Sequence, residues 1–382
     1  MLKAKLVTTA VVCLPLLFAN KGSAQANIYI QTLSGVDVYN ANDNGQLTLV
    51  SGSPFYDSGQ MEGVNGNYLI SVGTDYLHSY KLEANGGVGA QASQIDTQSY
   101  SGSTCGTTSG ISLLDHTGQY FAVSLGGASA TDGCYALQTY KINSSGDFTF
   151  LGDSFSNIGV HGEAYNTNVE TYSSSDLYSY GVQSQQGATV WLAYKQASTG
   201  ELETDSSFTV TGPEENPSVS GSNYAPWLVA ADNAGHLAAV LNTPFDSSSA
   251  FQLGSYTINP STVAISSTNT YANMPTLQVE NPNHIGMAWG GNYLAVSGDP
   301  GLQVFHFNGA NPPTAFGGVL LPNTQIDQVA WDKNNNLYAL SYESNQLYVY
   351  TVTPTGITEA PGSPYTVSKP NGWTGIIVVP KS

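Results

Sequence analysis

The chain repeats one unit of alternating strand and turn signals, and the copy from Trp331 to Tyr365 shows it most plainly. Asp332-Lys333-Asn334-Asn335-Asn336 leads into Leu337-Tyr338-Ala339-Leu340-Ser341, and Leu347-Tyr348-Val349-Tyr350-Thr351-Val352 follows. Pro354-Thr355-Gly356-Ile357 and Gly362-Ser363-Pro364-Tyr365 close the unit. Short alternating runs of aromatic and branched residues, separated by Asn, Gly and Pro clusters, are the pattern of half-buried antiparallel strands joined by tight turns. The most recognisable element is an apolar residue followed three positions later by Tyr or Phe. It recurs as Val36 with Tyr39, Leu77 with Tyr80, Leu137 with Tyr140, Trp191 with Tyr194, Leu253 with Tyr256, Leu302 with Phe305, and Leu347 with Tyr350. The aromatics are 41, 60, 54, 62, 49 and 45 residues apart, and a partner strand precedes each. These partners are 28–30, 68–72, 120–124, 177–180, 237–241, 293–297 and 337–341. Seven such units specify an all-β, seven-bladed β-propeller, whose four-stranded antiparallel blades surround a channel.

Turn residues support the same count. Asp115-His116-Thr117-Gly118 and Asp232-Asn233-Ala234-Gly235 precede the second strand of their units, and Asp332 begins the related turn in the last. Asp and Gly at the outer positions favour a type I turn. Glycine turns follow the third strand at Asn44-Gly45, Gly86-Gly87, Ser145-Gly146, Thr199-Gly200 and Thr355-Gly356. The first unit begins directly at Asn27-Ile28-Tyr29-Ile30 without an inner strand, whereas the C-terminus has a surplus one, 373–379. Placed inside the first blade, this C-terminal strand closes the ring and removes its open edge.

Lys3 and Lys5 precede an apolar run from Leu6 to Phe18 and small residues around Ala24 and Ala26. That layout predicts a signal peptide over residues 1–24, with cleavage after Ala24 or Ala26, and a propeller over 25–382. The run is shorter than the ~20 residues a membrane span needs. All nine basic residues are lysines, and three lie in the leader, leaving six against 27 acidic residues. So acidic a chain repels phosphate backbones and anionic lipid, which excludes nucleic acid and membrane surfaces as expected partners. An exported, extracytoplasmic monomer follows, in which Cys105 and Cys134 read as a disulfide rather than a metal pair.

The Leu-Tyr-Val-Tyr strand, the turns Gly52-Ser53-Pro54-Phe55 and Gly362-Ser363-Pro364-Tyr365, and the closing strand resemble the seven-bladed lactonase-type propellers, the family of the propeller-type 6-phosphogluconolactonases. The resemblance covers nearly all of the mature chain and implies the fold and a lactone-opening activity. It also implies a histidine-rich segment entering the third blade, with histidine and arginine at the channel mouth. Here the matching approach is Cys105-Gly106-Thr107-Thr108-Ser109-Gly110-Ile111, with neither. A phosphorylated lactone needs cations, arginine above all. The expected substrate of a lactonase with this composition is therefore unphosphorylated.

Loops running from one blade's outer strand to the next blade's inner strand, with those between second and third strands, gather at one channel mouth. The long ones are 152–165, 205–226, 267–285 and 125–133. They bring His161 with Glu163, Glu214 with Glu215, and Glu280 with His284, near Trp227, Asp327 and Trp373. His161, Glu163 and His284 are the catalytic candidates, because lactone opening needs a base for water and a donor for the carbonyl oxygen. Trp227, Glu280, Asp327 and Trp373 are the ligand-binding candidates, since flat rings pack on sugar faces while carboxylates take hydroxyls. No nucleophile elbow, phosphate loop or close metal-ligand spacing occurs, so no cofactor or metal is expected. The expected function is a binding scaffold for a small molecule, glycan or exported protein, with hydrolysis of an unphosphorylated lactone as the alternative.

Overall fold

The computed structural model describes residues 25–56, 59–73, 76–97, 107–108, 113–127, 134–155, 164–165, 171–185, 188–205, 207–217, 224–242, 250–371 and 375–381. No described residue is helical, and seven sheets form the blades of a ring. All seven aromatic pairs lie on third strands, from Gly35–Ala41 in blade one to Gln346–Thr353 in blade seven. Ile376–Pro380 pairs antiparallel with Ala26–Thr32, Ile28 opposite Val378 and Tyr29 opposite Ile377. The first blade therefore takes its inner strand from the far end of the chain, and the ring closes.

Each blade packs both faces against neighbours, which explains why its middle strands are buried almost throughout. Tyr68–Val72 and Asn336–Ser341 are buried at every position. Between blades seven and one, Tyr338, Leu340 and Val349 pack with Ile28 and Ile30, and between one and two, Tyr29 and Val38 pack with Met61 and Leu69. Each such side chain contributes roughly 1.5–3 kcal/mol.

A second device ties blade to blade. The tyrosine beginning the second strand reaches the glycine turn of the following blade, where Tyr68 donates from its hydroxyl to the Ser144 carbonyl at 3.2 Å. Gly146 of that turn has φ +87°, and a Cβ there would lie 2.6 Å from the Tyr68 ring. Left-handed backbone and close approach both demand glycine. His236 occupies the equivalent place in blade five, its ring against Gly309 of blade six.

The aspartate turns behave as the sequence predicts. Asp332, fully buried, accepts the Asn334 and Asn336 N–H groups at 2.8 and 2.9 Å, the Asn336 amide at 2.8 Å and the Tyr338 hydroxyl at 2.9 Å. Asp115 and Asp232 accept backbone N–H groups in their own turns in the same manner.

Several expectations need correction. Among the described residues, the inner strand of blade three is seen at Thr107–Thr108 and Leu113–Leu114, and that of blade four at Ala164–Tyr165 and Thr171–Tyr172. The segment 205–226 is not wholly a mouth loop: Val210–Thr211 runs parallel to Ile265–Ser266 as a fifth strand of blade five. Its β-branched residues satisfy an otherwise open sheet edge. Leu125 to Gly127 and Gly152 to Phe155 are likewise strand, within Tyr120–Gly127 and Phe148–Phe155. Gly356 opens the strand Gly356–Glu359 and, unlike Gly45, Gly86, Gly146 and Gly200, has no left-handed φ.

Candidate functional site

Three neighbouring inner strands carry the described candidates: Ala225–Ala231 of blade five, Glu280–Met287 of blade six and Gln328–Trp331 of blade seven. Each runs from the mouth inward, because it follows a crossover and leads to the turn into the second strand. Two of them are bulged near the mouth. The register of the first shifts between Pro226 and Leu228, and that of the second between Glu280 and His284. A bulge leaves its extra residue unpaired and re-aims the side chain. Trp227 is that residue, and it is 40% exposed. Its indole N–H donates to the Pro282 carbonyl at 2.7 Å, and Phe251 supports the ring at 5.5 Å between centroids. The exposed face is thus held in place from the neighbouring blade.

Glu280 is exposed and sits opposite Asp299. His284 lies further in, opposite Ser297, half-buried against the channel wall. The Val329 N–H points at its Nδ1 at 3.4 Å, a long contact that favours the proton on Nε2. Its accessible edge does not make it a solvated group: protein on all sides lowers its pKa to about 4 through desolvation. The imidazole is neutral near pH 7 and its conjugate acid is strong, so it serves as a hydrogen-bond donor better than as a base.

Asp327 precedes the third inner strand, and both of its oxygens are engaged. One accepts from the Gln325 amide at 2.9 Å and the other from the Tyr342 N–H at 2.7 Å. Burial raises its pKa, the two hydrogen bonds oppose that, and Glu343 and Asp299 add repulsion. Asp327 therefore fixes the second-to-third-strand hairpin of blade seven to the mouth. No hydrogen bond, ion pair or ring contact joins Trp227, Glu280, His284 and Asp327; the links between the strands that carry them run through Pro282 and Val329.

His161, Glu163, Trp373 and Cys105 lie outside the described residues. Cys134 opens the strand Cys134–Ile142. Glu214 is in a bridge with Thr270 at the edge of blade five. Among the described residues, no three His, Cys, Asp or Glu side chains lie close enough to hold a metal.

The sequence reading missed a set of buried glutamines beneath the mouth. Gln31 accepts the Met61 N–H at 2.8 Å, and Gln303 accepts the Gln278 N–H at 2.6 Å. Gln252 donates to the Tyr271 and Met274 carbonyls and accepts from the Tyr224 hydroxyl at 2.8 Å. Each pins a crossover that approaches the mouth. The available signal is a polar residue beside the apolar member of the repeated pair, as at Gln252-Leu253 and Leu302-Gln303.

Fold and site together define a seven-bladed β-propeller with a channel mouth built on bulged inner strands. Solved structures similar to it include lactonase-like propellers. A periplasmic gluconolactonase of Pseudomonas aeruginosa matches at a TM-score of 0.62 and 14% identity, over 93% of this chain and 99% of that one. A putative 6-phosphogluconolactonase of Bacteroides uniformis matches at 0.62 and 13%, over 94% and 100%. Another from Bacteroides fragilis matches at 0.61 and 12%, over 93% and 98%. No family model and no curated protein sequence matches the chain. Identities this low establish the architecture, and the chemistry has to be argued from the site.

Proposed function

We propose that this protein is an exported, monomeric lactonase-like propeller that binds an unphosphorylated, hydroxyl-rich ring, a free sugar or the end of a glycan, at its channel mouth without turning it over. The observation that carries this reading is Trp227, whose exposed ring is fixed by the Pro282 carbonyl and Phe251. A preordered flat ring costs little entropy on binding a sugar face. Glu280 supplies exposed acceptors nearby, and His284 a neutral donor. The leader at residues 1–24 supports export, as does the similarity to a periplasmic protein.

Hydrolysis of an unphosphorylated lactone is the second reading, favoured by the gluconolactonase neighbour. In that case His284 would donate to the carbonyl oxygen, and the water-activating base would come from elsewhere. Against it stands the depressed basicity of His284.

Calorimetric titration of the mature protein with a panel of sugars, beside a lactone hydrolysis assay, separates the two. Binding that Trp227→Ala weakens tenfold or more, without turnover, is the expected result. Turnover above background that a His161→Ala, His284→Ala double variant loses would make the protein a lactonase instead.

A further inference from the structure

In blades two to seven, a turn joins the first strand to the second at the end of the channel away from the mouth. Each opens with a residue whose N–H donates to the start of the second strand, as Asp232 does to His236 and Ala288 to Tyr293. The residue that follows is Gly66, His116, Ser174, Asn233 or Lys333 in five of these turns, and Trp289 in blade six. Trp289 is 50% exposed.

Its conformation is fixed from both neighbouring blades. The indole N–H donates to the Trp331 carbonyl of blade seven at 3.2 Å, and the Trp289 carbonyl accepts the Asn233 amide of blade five at 2.8 Å. A tie of this kind does not require tryptophan: Asn65 makes one with its side-chain amide, donating to the Gly118 carbonyl of blade three at 3.2 Å. Nor does the turn require it, since the Gly291 N–H closes it on the Ala288 carbonyl at 2.8 Å. What the indole adds is apolar surface left in water, an unfavourable arrangement that a ligand covering it relieves.

The surroundings select the ligand. Asn233, Gly290 and Asn292 are exposed and uncharged, and the Asn292 amide lies 3.6 Å from where a Cβ on Gly290 would stand. Ala288 takes the place that aspartate holds in blades three, five and seven, and the nearby Asp232 is buried. Lys333, in the next turn, donates to the Lys381 carbonyl at 3.0 Å. An aromatic ring held in place among neutral amides suits the face of a sugar and its hydroxyls better than an ion.

We propose that Trp289, with Asn233 and Asn292, forms a second carbohydrate-binding platform, on the face opposite the mouth, that takes one ring of an oligosaccharide. Standing on a turn, it admits internal rings of a chain as well as ends. With the mouth site the monomer becomes bivalent and joins two glycan chains; that consequence rests on the proposed reading of the mouth, whereas the platform stands on its own residues.

The test uses the mature protein with isotope-labelled tryptophan. Its indole N–H resonances are followed by NMR during titration with maltohexaose, cellohexaose and chitohexaose, and with p-cresol as an apolar control. Trp289→Asn removes the ring, keeps a side-chain amide of the kind that ties blade two to blade three, and identifies the Trp289 resonance by its loss. An oligosaccharide should shift that resonance in the unaltered protein and equally in Trp227→Ala. Adding Trp289→Asn to Trp227→Ala should weaken the remaining binding by about tenfold or more in calorimetry. Should the double variant fail to fold, the Trp289 shifts in the unaltered protein and in Trp227→Ala decide. A shift at Trp227 without one at Trp289 overturns the platform and leaves the mouth reading standing; a shift at Trp289 alone does the reverse. Trp289 unmoved by every oligosaccharide, or p-cresol binding as tightly as the best of them, overturns the proposal.

Discussion

Single residues carry unequal shares of this ring's stability. Asp332 is buried and accepts four hydrogen bonds, so Asp332→Ala leaves several donors unsatisfied and should cost roughly 3 kcal/mol, measured by chemical denaturation. His284 makes stability depend on pH. Its folded pKa, about 4, lies below the ordinary histidine value, so its contribution is complete above about pH 6.5 and is lost as pH falls toward 4. The magnitude is on the order of 3 kcal/mol at most. Asp37, Asp115 and Asp327 have raised pKa values and act in the opposite sense, gaining stability as pH falls toward the carboxylate range. The difference between the unaltered protein and His284→Gln cancels them, and should shrink between pH 6.5 and 4; a constant difference would refute the assignment. Asp332 was legible because its partners lie within six residues. Gln31 was not, since Met61 stands 30 residues away and nothing local points to it, and Gln303 offered only its place beside Leu302, with its partner Gln278 25 residues away.

Among the elements, turns and closing strand can be ranked by what surrounds them. Gly66 and Gly146 have nearly the same φ, +86° and +87°, but only Gly146 faces a neighbour, the Tyr68 ring. Gly66→Ala should cost about 1 kcal/mol from backbone strain, and Gly146→Ala clearly more, because strain and collision add. Equal losses in denaturant titration would contradict the inter-blade tie. Deleting residues 373–382 removes the strand Ile376–Pro380 and exposes the edge of blade one, which should lower the melting temperature of the whole ring. An unchanged melt would refute the closure. Third strands were legible because the apolar-x-x-aromatic pair is local, and the same holds for the second strands. The parallel edge strand Val210–Thr211 was not, because a two-residue piece carries no periodicity.

Across the whole molecule, carboxylates stand at both ends of the ring, whereas five of the six lysines outside the leader lie away from the mouth and Lys369 sits by the blade-one hairpin. Lys81, Lys141 and Lys195 each follow a third-strand tyrosine at the end of the blade away from the mouth, and Lys333 and Lys381 lie at that same end. Glu280, Asp299, Asp327 and Glu343 gather on the mouth side of blades six and seven. A phosphorylated sugar should therefore bind at least tenfold more weakly than its unphosphorylated form, and calorimetry showing parity would count against the proposed ligand class. The seven-fold architecture was legible because it repeats. The site was legible only as residue types near the mouth, since the bulges that turn Trp227 outward arise from pairing between distant strands.

The pairing of Ala26–Thr32 with Ile376–Pro380 has a consequence in time. Synthesis delivers the second of these strands long after the first. Until Ile376–Pro380 emerges, the first blade has no inner partner, and no arrangement of the other blades can seal the circle. Closure of the ring therefore waits on Ile376–Pro380, in whatever order the other blades fold.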